Sequence, residues 1–360
     1  MTKEEYYYWL QSLNFFSIGV RRKMLERTGS PEELFGFSGK DLFRLDLTPS
    51  LYQTELFDRS KNAEKIHKDF EELAKKNICF TDMESENYPE RLFSLKDPPF
   101  GIFHKGRLPS KNVPTVGIVG ARRCTNYGKD MAFFFGRELS KRGVQIISGM
   151  ALGVDGFSQR GAVREKGGSF AVLGGGVDIC YPRENIDLYE ELTKKGGIIS
   201  ERLPGEKALP ADFPIRNRII AALSDVLIVI EAAEHSGSLI TVNMALEQNK
   251  EVFALPGRVG DRMAAGCNEL IKCGAEVLTC PEDVLQYLGL SVGEDTVKRA
   301  NVTLSDAEKT VFGLLGKTPV STEELLDISS LPLSVLTEIL VKLEIKGVIK
   351  KESHGGYVRL

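Results

Sequence analysis

Between residues 113 and 290 the chain alternates short β-branched and aliphatic runs with longer amphipathic runs, and this limits the folds open to it. The pattern predicts strands over 115–119, 144–147, 169–173, 197–200, 226–230, 251–254 and 276–278. Helices are predicted between them over 127–142, 156–166, 186–195, 213–223, 239–248, 268–273 and 281–288. The strand runs are apolar throughout, as strands covered on both faces are. Regular strand–helix alternation then builds a parallel sheet with helices on both sides. The expected class is α/β with a Rossmann-like sheet. Strand order is not readable from the pattern.

The flanks have other textures. Residues 1–85 read as a small helical domain, with helical patterns over 4–13, 38–45 and 60–76 and a helix start at Ser30-Pro31. Residues 86–112 read as a connector, because Tyr88-Pro89, Asp97-Pro98-Pro99 and Lys105-Gly106 break regular structure; Ile102-Phe103 could add a short edge strand. A polar stretch, 291–302, reads as a linker. Residues 303–360 give helices over 305–315, 322–326 and 333–346, then a hairpin with its turn at His354-Gly355-Gly356. Three helices and a hairpin make a winged helix.

At roughly 100–200 residues per domain, a chain of 360 residues holds two or three. With 47 Lys+Arg against 50 Asp+Glu the net charge is −3, so any phosphate binding must come from a local patch. The first ten residues lack the basic and apolar regions of a secretory signal, and no apolar run is long enough to span a bilayer. None of the six cysteines forms a C-x-x-C pair or stands at ligand spacing from a histidine. They read as reduced thiols of a cytoplasmic protein, and neither metal nor cofactor is expected.

Open α/β sheets bind ligands at the carboxyl ends of their strands, where this sequence is rich in glycine. After the first strand come Gly120, Ala121, Arg122, Arg123, Thr125, Tyr127 and Gly128. Glycine admits backbone N–H groups to an anion, a helix N-terminus adds its dipole, and arginine adds a two-pronged donor. Ser148-Gly149 follows the second strand and Gly174-Gly175 the third. Phe213, Arg216, Asn217 and Arg218 open a helix with the chemistry of a phosphate-plus-base site. Ser236, Gly237, Ser238 and Thr241 open another, where N–H groups and hydroxyls can hold an anion or cap the helix. Each of these motifs also suits an ordinary turn or cap; their common placement on one rim is what points to binding. Asp155, Asp178, Glu201 and Glu231 are the acids near the rim, and His235 is the histidine there, without an evident partner for catalysis.

Taken in order, these segments resemble the DprA/Smf family. The resemblance rests on Gly117-Ile118-Val119-Gly120-Ala121-Arg122, Tyr127-Gly128, Gly153-Val154-Asp155, Tyr181-Pro182 with Asn185, and Phe213-Pro214 with Arg216-Asn217-Arg218. It continues through Ser236-Gly237-Ser238, Pro256-Gly257, Gly266-Cys267-Asn268 and Gly274-Ala275. It implies single-stranded DNA binding without sequence preference, a homodimer formed through the Rossmann-like domain, and loading of the recombinase RecA during natural transformation. It also implies an N-terminal domain of SAM or helix-hairpin-helix type and an optional winged helix. Arg122 falls on the family's arginine and Phe213 on its base-pocket aromatic, with Lys207 the candidate for the basic residue before that aromatic. The chain departs from the family pattern at Ala121, at Phe157-Ser158-Gln159 and at Cys267.

Two other readings compete. A nucleoside monophosphate phosphoribohydrolase on a similar fold would need a Pro-Gly-Gly-x-Gly-Thr-x-x-Glu motif; the matching stretch, from His235 to Thr241, lacks its double glycine and acid. A duplex reader would use the winged helix, but its recognition helix mixes Lys342 and Lys346 with Glu338 and Glu344. That is a poor match to a major groove, so the domain is expected to dock a partner or bind duplex weakly.

Overall fold

The computed structural model describes residues 1–290, 304–316, 319–329, 331–346, 348–351 and 356–359. The expected linker at 291–302 and most of the expected hairpin turn lie outside the described residues. The chain divides into two compact units, Met1–Ser291 and Val292–Leu360.

The first unit is organised by a sheet that has nine strands among the described residues. They are β1 (Cys79–Asp82), β2 (Gly101–Gly106), β3 (Thr115–Val119), β4 (Gln145–Ser148), β5 (Ser169–Val172), β6 (Gly197–Ser200), β7 (Val226–Val229), β8 (Glu251–Ala254) and β9 (Glu276–Val277). Their order is β1-β2-β6-β5-β4-β3-β7-β8-β9. All neighbours run parallel except the β1–β2 and β2–β6 pairs. β2 is therefore not an edge: it pairs on both sides and joins the connector to the sheet.

Both faces of the sheet are covered. Val116 and Ile118 of β3 and Val226 and Ile228 of β7 pack against α6 (Asn126–Lys141), α7 (Val154–Ala162) and α12 (Pro281–Tyr287). Val119, Leu227 and Val229 face the other way, against α9 (Asp212–Leu223), α10 (Ser238–Glu247) and α11 (Ala265–Lys272). α8 (Ile186–Lys195) covers β5 and β6. Alternate residues of one strand enter two cores, so the strands read as unbroken apolar runs.

The N-terminal helices are α1 (Lys3–Ser12), α2 (Ile18–Thr28), α3 (Pro31–Gly36), α4 (Leu51–Ser60) and α5 (Ala63–Lys75). Trp9, Leu10, Met24, Leu34 and Phe57 form their core, joined by Phe100 of the connector. The single helix expected over 60–76 starts later. Ser60 closes α4, and the Asn62 side chain accepts the Lys65 N–H at 2.9 Å to cap α5. No described helix is long and apolar enough to cross a membrane.

The second unit has α13 (Asp306–Leu314), α14 (Thr322–Ser329), α15 (Leu333–Ile345) and a hairpin of β10 (Ile349–Lys351) and β11 (Tyr357–Arg359). Val311, Leu325, Leu336, Leu340 and Tyr357 fill its core. On α15, Lys342 is paired with Glu338 at 2.6 Å, while Leu333, Val335 and Val341 are exposed.

Asp225 fastens the connector to the sheet. Its carboxylate takes two bonds from Arg91, at 2.8 and 2.9 Å, and two from the Thr115 N–H and hydroxyl, at 2.8 and 3.0 Å. Burial alone would raise its pKa, but Arg91 and the Thr115 donors outweigh burial and hold it below the usual range. Its contribution to stability is therefore present at neutral pH and lost as the pH falls through that lowered value. Asp225→Ala is expected to cost about 1–3 kcal/mol near pH 7. Urea unfolding at several pH values would check this, the difference from wild type shrinking in acid.

Candidate nucleic-acid interface

From β3 the chain winds outward through β4 and β5 to β6, then returns to place β7 on the other side of β3. The crevice at such a reversal lies at the carboxyl ends of the strands. Here it is a cleft of ≈ 580 Å³. Gly120, Ala121 and Arg122 line it from the β3 loop, and Ala151 and Asp155 from the segment after β4. Phe213, Arg216 and Asn217 line it from α9, and Ser236, Gly237, Ser238 and Thr241 from the start of α10. Gly149, Gly174 and Gly175 line a narrow gap beside it, together with Tyr181 and Phe213. Four separate loops thus meet where the sequence placed one rim.

Glu231, just past β7, sets the β3 loop. It accepts the Thr125 N–H at 2.8 Å and the Thr125 hydroxyl at 2.6 Å, while its backbone carbonyl accepts the Ala121 N–H at 2.7 Å. Thr125 also caps α6 by accepting the Gly128 N–H at 3.1 Å. Its hydroxyl is thereby committed to the fold, not turned to a ligand. Gly128 and Tyr127 stand on the first turn of α6, outside the cleft lining; Gly128 is buried against the Glu231 carboxylate.

At the mouth, the Arg122 guanidinium sits 5.1 Å from the centre of the Phe213 ring. Tyr181 lies 5.6 Å from the same ring with the planes 30° apart, and it is 53% exposed. Arg122 and Arg123 are exposed, and neither has a carboxylate within 4 Å among the described residues. A cation held over one aromatic face, with a second aromatic beside it, can take a phosphate and a stacked base together. Tyr181 was legible in the sequence as part of the Tyr181-Pro182 motif, but nothing there showed that it would reach Phe213.

Several expected contacts turn inward. Arg216 is buried and donates to the carbonyls of Gly149, at 2.8 Å, and Val172; its Nε reaches Asn217 Oδ1 at 3.1 Å. Burial lowers its pKa to about 10, against the opposing pull of Asp155. Asp155 is buried too, which raises its pKa, while Arg216 and the backbone N–H of Gly149 act the other way. Arg216 is thus a floor of the cleft, spent on carbonyls, rather than a free phosphate ligand. Arg218 does not line the cleft: it reaches Asp97 O at 2.9 Å and pairs with Glu201. Arg216 and Arg218 are two residues apart on α9, and at 3.6 residues per turn that is a rotation of about 200°, which sends the two arginines to opposite sides of the helix. Ser148 is buried, with its hydroxyl on Ile118 O at 2.7 Å. Lys207 is exposed on the loop before α9, beside Ala208, which lines the narrow gap.

Residues 79–289 match the family described as DNA recombination-mediator protein A, and residues 296–355 match the DprA winged helix domain. The chain belongs to the DprA/Smf family. It is 42% identical over 206 residues to the DNA processing protein DprA of Bacillus subtilis, covering 57% of this chain and 69% of that protein. Among solved structures, DprA from Streptococcus pneumoniae is similar at 31% identity and a TM-score of 0.69, over 79% of this chain and 98% of that one. DNA processing protein A from Helicobacter pylori, described for its single-stranded DNA binding mode, is similar at 33% identity and a TM-score of 0.53, over 58% and 95%.

Gly149 has no room for a side chain, because a Cβ there would stand 2.5 Å from the Arg216 guanidinium. That guanidinium is buried and held by two carbonyls, so it cannot give way. Gly149→Ala is expected to destabilise the fold by about 1–3 kcal/mol, which a shift in the urea midpoint would show.

Proposed function

We propose that this chain binds single-stranded DNA without sequence preference across the cleft between β3 and β7. Arg122 holds a phosphate, and Phe213 with Tyr181 receives a base. The observation that carries this reading is the uncompensated Arg122 guanidinium stacked on Phe213 at the mouth of a cleft built at the sheet's reversal. Arg123 and Lys207 add exposed positive charge near it, and Gly120, Gly237 and the Ser236–Ser238 turn bring small residues and backbone to the wall.

The acids near the rim support binding over turnover. Glu231 is occupied by Thr125, Asp155 by the Gly149 N–H, Glu201 by Arg218, and Asp178 by the Gly205 N–H. None of them is presented to the cleft as a free acid or base beside a nucleophile. As a member of a family described as a recombination mediator, the chain is further proposed to act in the cytoplasm as a homodimer. There it would pass the bound strand to RecA during natural transformation and recombination. Light scattering of the purified chain and RecA filament formation on pre-bound strands test those two parts. The winged helix is assigned a supporting role, because Lys342 on α15 is paired with Glu338 and the same helix exposes Leu333, Val335, Val341 and the acid Glu344.

Fluorescence anisotropy with labelled oligo-dT tests the central claim. Binding is expected to weaken as salt rises, and unlabelled duplex should compete poorly. Arg122→Ala should weaken binding by about 1.5–3 kcal/mol and make the salt slope shallower by about 0.7. Phe213→Ala should cost about 1–3 kcal/mol with the slope unchanged. A folded Arg122→Ala variant with wild-type affinity and slope would remove the assignment.

A further inference from the structure

The arginines of the first unit fall into two groups. Those on helices and connectors are spent on the protein itself: Arg91 on Asp225, Arg142 on Glu138 and Glu282, Arg160 on Asp187, Arg164 on Glu191, and Arg218 on Glu201. Among the described residues of this unit, those without a carboxylate or carbonyl partner are Arg122, Arg123, Arg183, Arg258 and Arg262. All of these stand on segments that follow the carboxyl ends of strands: β3, β5 and β8.

Arg258 and Arg262 belong to the loop between β8 and α11, which the proposed DNA site does not use. Its base is fixed. The Asn268 side chain bonds both the Gly257 N–H and the Gly257 carbonyl at 3.1 Å, and the Met263 carbonyl accepts the Ala232 N–H at 2.9 Å. Its middle is open: Arg258 and Arg262 are exposed, and Val259 between them is 100% exposed. The loop is continuous with the cleft, because Met263, next to Arg262, lines the wall formed by Ser236 and Gly237. β8 is the neighbour of β7, so the loop begins one strand beyond the reversal. With strands ~4.8 Å apart, the rim from the β5 side to the β8 side covers roughly 19 Å, a length suited to an extended strand crossing the sheet ends.

We propose that the loop between β8 and α11 is a second phosphate-binding element for the same single strand, with Arg258 and Arg262 on backbone phosphates beyond the cleft and Val259 against a sugar or base. This rests on the single-strand reading of the cleft. It adds a direction to that reading: the strand leaves the Arg122–Phe213 mouth toward β8. The hydrogen bonds of Gly257 and Met263 hold both ends of the loop, so the ordering cost on binding falls mainly on the two exposed arginine side chains.

The full chain, the Arg258→Ala/Arg262→Ala variant and the Arg258→Lys/Arg262→Lys variant would be titrated with labelled oligo-dT of about 4 to about 16 nucleotides at several salt concentrations. The alanine variant is expected to bind the shortest strands as wild type does and to lose the gain in affinity with length. On the longest strands its salt slope should be shallower by about 1.4, two phosphates' worth, and the lysine variant should restore it. An unchanged slope and length dependence would overturn the proposal, and so would an equal loss on short and long strands, which would mean damage to the cleft. Arg122→Ala run alongside separates the two claims. If it weakens the shortest strands while the loop variant changes nothing, only the extension fails; if wild type binds no oligo-dT, or Arg122→Ala leaves binding intact, the cleft reading falls and the extension with it.

Discussion

Glu231 accepts the Thr125 N–H and hydroxyl from the far side of the sheet's reversal, and so ties the loop after β3 to the end of β7. Much of the cleft follows from that tie. It fixes the start of α6, which Thr125 caps, and it leaves no room for a side chain at Gly128, where a Cβ would stand 2.4 Å from the carboxylate. The Ala121 N–H bonds the Glu231 carbonyl, and the Ala121 carbonyl accepts the Val154 N–H at 3.2 Å, so α7 is drawn to the same point. With those loops fixed, Arg122 is the first residue free to turn outward. A buried carboxylate with its donors satisfied is worth more to local geometry than to net stability. Here that geometry sets the shape of a binding surface.

The positive charge of the rim is arranged by a second constraint. Net charge is −3, so the chain has no overall attraction for nucleic acid, and local placement must do the work. Most arginines are consumed by neighbouring acids or carbonyls. Even Arg216, which carries the right chemistry at the right place in the sequence, is spent on the carbonyls of Gly149 and Val172. Its guanidinium is buried 6.0 Å from the centre of the Phe213 ring, while Arg122, 5.1 Å from the same ring, is exposed. This division explains how one cleft can be rigid and still offer an uncompensated cation: the buried arginine orders the backbone, and the exposed one meets the ligand.

The same physics commits individual polar side chains to the fold. Ser148, Thr125 and Arg218 have donors and acceptors suited to a phosphate, and each is committed elsewhere. Buried polar groups must be paired. A polar residue near a glycine-rich turn is as useful for closing that turn as for meeting a ligand. Tyr181 shows the opposite case, an aromatic assigned no role by sequence that the fold brings to 5.6 Å from Phe213. Nothing local records that approach, because it depends on the loop after β5 and the start of α9 arriving at one place.

The alternation of apolar runs and amphipathic helices determined, without any structure, that residues 113–290 form a parallel sheet covered on both faces. It also located the glycine-rich loops and the order of motifs that mark the family. Periodicity and turn chemistry are local, and they survive in the sequence whatever the chain does elsewhere. Strand order, the pairing of β2 on both its edges, and the choice of which arginine faces solvent were decided only by the tertiary structure. Those depend on which groups meet across long separations in the chain, such as Thr125 with Glu231 and Arg91 with Asp225. A side chain's availability is what remains after its neighbours have been satisfied, and the fold supplies the neighbours.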